Sequence, residues 1–261
     1  MTPSFDEVTT PHRGEDGISR VHFDPSWYQG RGAFGGVVGG ALIRGLEALL
    51  PPDLPLRTFN LQLCAPAAGA LVLEARVARA GRNVAHAQAS LRGPDGVVAF
   101  AAGTFGRDRA ARAAPLNATA PPRTPFERSP VLPLGPPAAP AFTQHIELRH
   151  ALGCLPFSGA GAQAFGGWTR LLRPPPPGPA LALALMDAWP PACFAAEIGP
   201  RPVGTIAMSC HFLTPLEPGT DRLVSVEGLQ NGGGYAAQDN LLYAADGRLL
   251  ARSHQVVAII R

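Results

Sequence analysis

Asp187 is the costliest side chain in this sequence. It is a lone carboxylate in the apolar stretch LALALMDAWPPACFAAEIGPRPVGTIAMSCHF, residues 181–212, and burying a charge without partners costs several kcal/mol. Two polar residues have the chemistry to meet it: Thr205, early in the segment VGTIAMSCHFL, and Gln255, in the final segment LLARSHQVVAII. An acid, a hydroxyl and an amide converging in an apolar cleft hold and activate one water. Each also has an ordinary reading. Asp187 is a capping residue if the helix begins later, since Pro190 and Pro191 suit a first turn and make 188 or 189 the cap; Thr205 is a common strand former, and Gln255 on a last strand faces solvent by default.

Other chemistries lack their residues. The sequence contains no lysine, so all 22 basic residues are arginine, which excludes Schiff-base, P-loop and Ser-Lys mechanisms. There is no HExxH and no GxSxG. His254 adjoins Gln255 but points to the opposite face of a strand, and His211 and His86 read as structural or surface residues. Cys64, Cys154, Cys193 and Cys210 show no ligand spacing, so they read as free or buried thiols in a reducing compartment, with no metal and no cofactor expected. Gly30, Gly32 and Gly35 fit GxGxxG, but no buried strand leads into them and no acid follows at ribose distance. The net charge of +3 is small and the arginines are scattered, which argues against nucleic acid. The acidic, polar opening is unlike a signal peptide, and no apolar run reaches about 18 residues. A cytoplasmic protein with no membrane span is expected.

The elements that must position these residues come from hydrophobic pattern. Of the 261 residues, 46% are apolar and 16% charged, enough for a substantial core. A first strand at 18–27 leads into GRGAFGGVVGGALIRGLEALLPP, read as a glycine-rich helix over 36–50 ended by Pro51-Pro52. Strands follow at 56–66, 71–81, 83–93 and 97–106, with a Pro94-Asp95-Gly96 turn between the last two. Residues 107–141 are proline-rich and aperiodic, a linker between residues 1–106 and 142–261. The second part repeats the first: strands at 142–152 and 161–172, an apolar helix around Asp187, then strands at 203–213, 222–229, 234–243 and 249–260. Pro66 and Pro215 end matching strands, and the eighth residue after the turn glycine is Thr104 in one copy and Gln255 in the other. The fold class is therefore α+β, two tandem units each with a long apolar helix wrapped by an antiparallel sheet. The first helix carries no acid between Gly35 and Leu46, so one catalytic set per chain is expected.

At AFGGVVGGAL, GGWTRL, MDAWPPA, TIAMSCHF and ADGRLLARSHQ the sequence resembles the double-hotdog acyl-CoA thioesterases of type II, over nearly the whole chain apart from the linker. The resemblance implies a double hotdog that hydrolyses fatty acyl-CoA thioesters with water held by an aspartate, a threonine and a glutamine, roles that fall on Asp187, Thr205 and Gln255. It departs from characterised members at Ala207-Met208, where a polar pair often follows the threonine, and after the aspartate, where Ala188-Trp189-Pro190-Pro191 replaces an aromatic-rich run. Both bear on acyl chain length.

Such chemistry suits these groups. A thiol with a pKa of about 8.5 leaves without a dedicated acid. Asp187 serves as general base, Thr205 and Gln255 orient the water, and the Gly35 and Gly36 amides at the start of the first helix are placed for the oxyanion. Trp189, Phe194 and Met208 are expected to line the acyl tunnel. Two other functions fit the same fold: a catalytically weak acyl-CoA-binding protein, and a hydratase or dehydratase, which wants a His-Asp pair at a helix start where neither helix has a histidine. The expected partner is the acyl-CoA substrate. A duplicated unit already supplies an internal pseudo-dimer, so monomer, homodimer and homotetramer are all open.

Overall fold

The computed structural model describes residues 2–109, 118–219 and 221–260. Helix α1 (Phe5–Thr9) opens the chain under a capping box formed by Ser4 and Glu7. Strands β1 (His12–Arg13) and β2 (Ser19–Phe23) and the short ribbon β3 (Tyr28–Gln29) with β4 (Gly32–Ala33) lead to helix α2 (Gly35–Glu47). Strands β5 (Leu56–Leu63), β6 (Gly69–Ala80), β7 (Val84–Gly93) and β8 (Gly96–Gly106) complete the first unit. The second contains β9 (Ile146–Gly153), β10 (Ala164–Leu171), helix α3 (Pro179–Met186), β11 (Val203–Phe212), β12 (Arg222–Gly232), β13 (Tyr235–Tyr243) and β14 (Leu249–Ile259).

The five glycines of α2 each cost about 1 kcal/mol of helix propensity relative to alanine, so packing must hold this helix. Eleven of its residues are buried. Glycine is needed where the helices meet: a Cβ on Gly39 would lie 2.9 Å from Leu183 Cδ2, and one on Gly36 2.8 Å from the Ala184 backbone.

Helix α3 corrects the expectation of a second long helix with Asp187 inside it. It has eight residues, is apolar on every side and is buried from Ala180 to Met186, as a helix enclosed by a sheet and another helix must be. Asp187 is its C-terminal cap. The stop comes from Pro190, which lacks an amide hydrogen and whose ring would collide with the carbonyl of Met186. A 3-10 turn, Ala192–Ala195, follows.

One antiparallel sheet of twelve strands surrounds the helices in the order β1-β2-β6-β7-β8-β5-β11-β14-β13-β12-β10-β9. The run β2-β6-β7-β8-β5 mirrors β10-β12-β13-β14-β11, so the expected duplication is present and its seam is the β5–β11 pairing. Register corrects one detail. Gln255 pairs with Met208 and Gln238, and the residue so placed in the first unit is Gly103, paired with Phe59 and Ala87. Counting from the turn glycines selected Thr104 because the second hairpin is one residue longer: residues 244–248 separate the Tyr243–Leu249 pair, whereas 93–96 separate Arg92 and Val97.

Of the expected linker, residues 110–117 lie outside the described residues. Its later part runs along β9, where Leu132 donates to the Leu148 carbonyl and Thr124 to that of Ala151. Phe126 packs edge-on against Trp168 beneath Arg149 and Arg170. Among the described residues no helix is long and apolar enough to cross a membrane.

Candidate active site

The floor of the site is the inner face of β11 and β14. Met208, Cys210 and Phe212 alternate inward along β11, and strict alternation would send Thr205, three residues before Met208, to the outer face. A bulge at Ile206 prevents this. Thr205 pairs with Val257 while Met208 pairs with Gln255, and directly opposed residues share a face. The extra residue therefore brings Thr205 onto the face that carries Gln255.

Gln255 is 2% exposed, and its side-chain carbonyl Oε1 has no hydrogen-bond partner among the described residues. Leaving such an oxygen unpaired costs about 1–3 kcal/mol. Beside it on β13, Gln238 Oε1 accepts the Ala192 amide at 2.8 Å, Gln238 Nε2 donates to Asn240 Oδ1 at 2.9 Å, and Asn240 Nδ2 donates to Ser253 Oγ at 3.1 Å.

Asp187 stands at the carboxyl end of α3 and reaches the amino end of α2. Its carboxylate accepts the Gly36 amide, and Oδ2 lies so near Gly35 that a Cβ there would be 2.5 Å away. Cys210 and Leu63, on the two seam strands, flank this place. Burial raises the acid to a pKa of about 8, against a smaller lowering by the Gly36 hydrogen bond. Among the described residues no cation offsets the charge, and the negative end of α3 adds to its cost. The nearby Cys210 thiol is pushed well up by its own burial and then by the Asp187 charge, so it is no nucleophile.

The structure thus puts Thr205 and Gln255 on one face and Asp187 where the end of α3 meets the start of α2, near Cys210 of β11. Neither Thr205 nor Gln255 hydrogen-bonds to the Asp187 carboxylate. The Gly36 amide, assigned from sequence to an oxyanion, is given to the acid in this state. Met208 is buried beside Gln255. Trp189 is buried with its indole N–H donating to Thr169 Oγ1 at 2.6 Å. Phe194 belongs to a separate cluster with Cys193 and Ala236, against Phe157.

Sequence reasoning missed Gln238, Asn240, Ser253 and Thr169, all buried. The signal was there: in YAAQDNLLY the two amides fall in phase with Ala236 and Leu242. Among the described residues no cluster of His, Cys, Asp or Glu could hold a metal. Two surface depressions, one around Arg222 and Arg248 and one around His145 and Arg173, do not include Asp187.

Residues 23–106 match the profile of the acyl-CoA thioesterase N-terminal domain and residues 116–259 that of the acyl-CoA thioesterase C-terminal domain. No curated protein matches the chain in sequence. Among solved structures, a conserved protein of unknown function with hot dog fold from Alicyclobacillus acidocaldarius is 22% identical with a TM-score of 0.87, covering 100% of this chain and 99% of that one. The acyl-CoA thioesterase II TesB2 from Mycobacterium marinum is 17% identical with a TM-score of 0.76, covering 98% of each chain. The fold alone does not choose the chemistry: the dehydratase domain of RzxB from Pseudomonas fluorescens is also similar, at 13% identity and a TM-score of 0.56, covering 98% of this chain and 99% of that one. The profiles decide it, since together they span both units of the double hotdog, and the chain belongs to the acyl-CoA thioesterase family of thioester hydrolases.

Proposed function

We propose that the chain hydrolyses an acyl-CoA thioester by direct attack of one water, with Asp187 as general base and Thr205 and Gln255 orienting the water. The observation that carries this reading is the combination, among the described residues, of a buried carboxylate without a cation and a buried Gln255 carbonyl without a donor. Both costs are lowered by one water that donates to each. The water oxygen forms the new C–O bond at the acyl carbon while its proton passes to Asp187. The C–S bond then breaks, CoA leaves as the thiolate, and the proton held by Asp187 passes to it to give the thiol and restore the base.

Desolvation suits the acid to this task, because a base near pKa 8 takes a proton far more readily than an ordinary carboxylate. The Gly35 amide, in the first turn of α2 and without a helical partner, is placed for the developing oxyanion. As Asp187 is protonated its hold on the Gly36 amide weakens, which frees a second donor. Met208 and Trp189 give the acyl chain apolar walls.

The test is thiol release from acetyl- to palmitoyl-CoA and phenylacetyl-CoA by wild type and Asp187→Ala. Hydrolysis that vanishes in the variant supports the reading. Acyl-CoA binding with no hydrolysis by wild type across the panel would replace it with an acyl-CoA-binding protein.

A further inference from the structure

Gln238, Asn240 and Ser253 form a buried polar chain that the proposed mechanism does not use. Its orientation is fixed from one end. A backbone amide only donates, so Ala192 N–H must meet the Gln238 oxygen. The Gln238 nitrogen then faces Asn240 Oδ1, and the Asn240 nitrogen faces Ser253 Oγ.

The first unit shows what the fold requires at these places. Ala87 pairs with Gly103 and Ala89 with Ala101, as Gln238 pairs with Gln255 and Asn240 with Ser253. The same inner-face positions are thus alanine, alanine, alanine and glycine in one unit, and glutamine, asparagine, serine and glutamine in the other. A helix packs against both faces, so the polar set is not a demand of the fold. Thr169 follows the same rule: it stands on β10 where Val21 stands on β2, and it anchors Trp189.

The two anchors act on one segment. Asp187 ends α3, and the chain from there to Ala195 has no regular strand or α-helix to hold it. It is tied to the sheet at Trp189 by Thr169 and at Ala192 by Gln238. We propose that Gln238, held in place by Asn240 and Ser253, is a positioning residue that pins this segment and so fixes the Asp187 carboxylate relative to Gln255. The inference rests on the reading of Asp187 as the base.

The experiment compares wild type, Asp187→Asn, Gln238→Leu and Gln238→Glu as full chains, with the acyl-CoA that wild type turns over fastest, between pH 6 and 9, alongside thermal melts. Gln238→Leu is expected to stay folded and lose at least about tenfold in kcat, with KM within about threefold, because misplacing a reacting group costs rate more than binding. Gln238→Glu, when protonated, keeps both the acceptor for Ala192 and the donor to Asn240. It is expected to hold kcat within about threefold of wild type at pH 6 and to fall below it as the new acid ionises. A folded Gln238→Leu with wild-type kcat, or a loss confined to KM, overturns the inference. If Gln238→Leu does not fold, a Gln238→Glu profile that parallels wild type at every pH overturns it instead. Those results, with Asp187→Asn inactive, leave the proposed function standing; an active Asp187→Asn sinks both.

Discussion

Replacing Asp187 by asparagine should destroy activity and stabilise the fold, and the second effect should depend on pH in a way that can be worked out. In the unfolded chain the acid titrates near its ordinary value of 3.8, whereas in the native protein burial holds it near 8. The native state therefore binds the proton more tightly. Its contribution to stability is complete below 3.8 and is lost as pH rises, at about 1.4 kcal/mol per pH unit, until the native group ionises near 8. Asparagine has the same shape, can accept the Gly36 amide and does not titrate. The stability difference between variant and wild type should be small at pH 4 and grow to on the order of 5 kcal/mol at pH 8, then level off. Urea unfolding of both proteins at four pH values between 5 and 8.5 measures it. Parallel stability curves would refute the reasoning, because they would mean that Asp187 titrates as a solvated acid and lacks the basicity the mechanism assigns to it. In the same samples, turnover of the variant should fall by about 10²–10⁴, the usual contribution of a general base.

Other outcomes follow from the same geometry. With a base near pKa 8, kcat/KM of wild type should rise with pH and level off above about 8, and a rate that is flat from pH 6 to 9 would remove Asp187 from the role. Gly35→Ala places a Cβ 2.5 Å from Oδ2, so the carboxylate must move; a loss of about a hundredfold in kcat, read in the thiol-release assay, is expected from a displacement near 1 Å. Gln255→Leu removes an unpaired buried carbonyl. It should lower kcat by at least about tenfold in the thiol-release assay and change unfolding stability little, because the water that satisfies the oxygen leaves with it; a folded variant with wild-type kcat would remove Gln255 from the role.

Much of the plan was legible in residue order alone. Alternation set the strands, two apolar glycine- and alanine-rich runs set the helices, and the repeated Asp-Gly turns exposed the duplication, because local periodicity reports which face of an element meets the core. Asp187 stood out for the same reason: a lone charge among apolar residues is a cost wherever the chain folds. What alternation could not carry was any position that depends on register. Thr205 joins Gln255 on the inner face only through the extra residue at Ile206, and the counterpart of Gln255 is Gly103 because one hairpin is a residue longer. The short reach of α3 follows from Pro190 and was readable, but the place where its end meets α2 was not. The partner amide for Asp187, the close approach at Gly35 and the tie from Ala192 to Gln238 each join residues far apart in sequence. Sequence determined which groups are chemically able; the packing of one unit's helix end against the other's helix start decided which of them meet, since burial and desolvation exist only once those surfaces close.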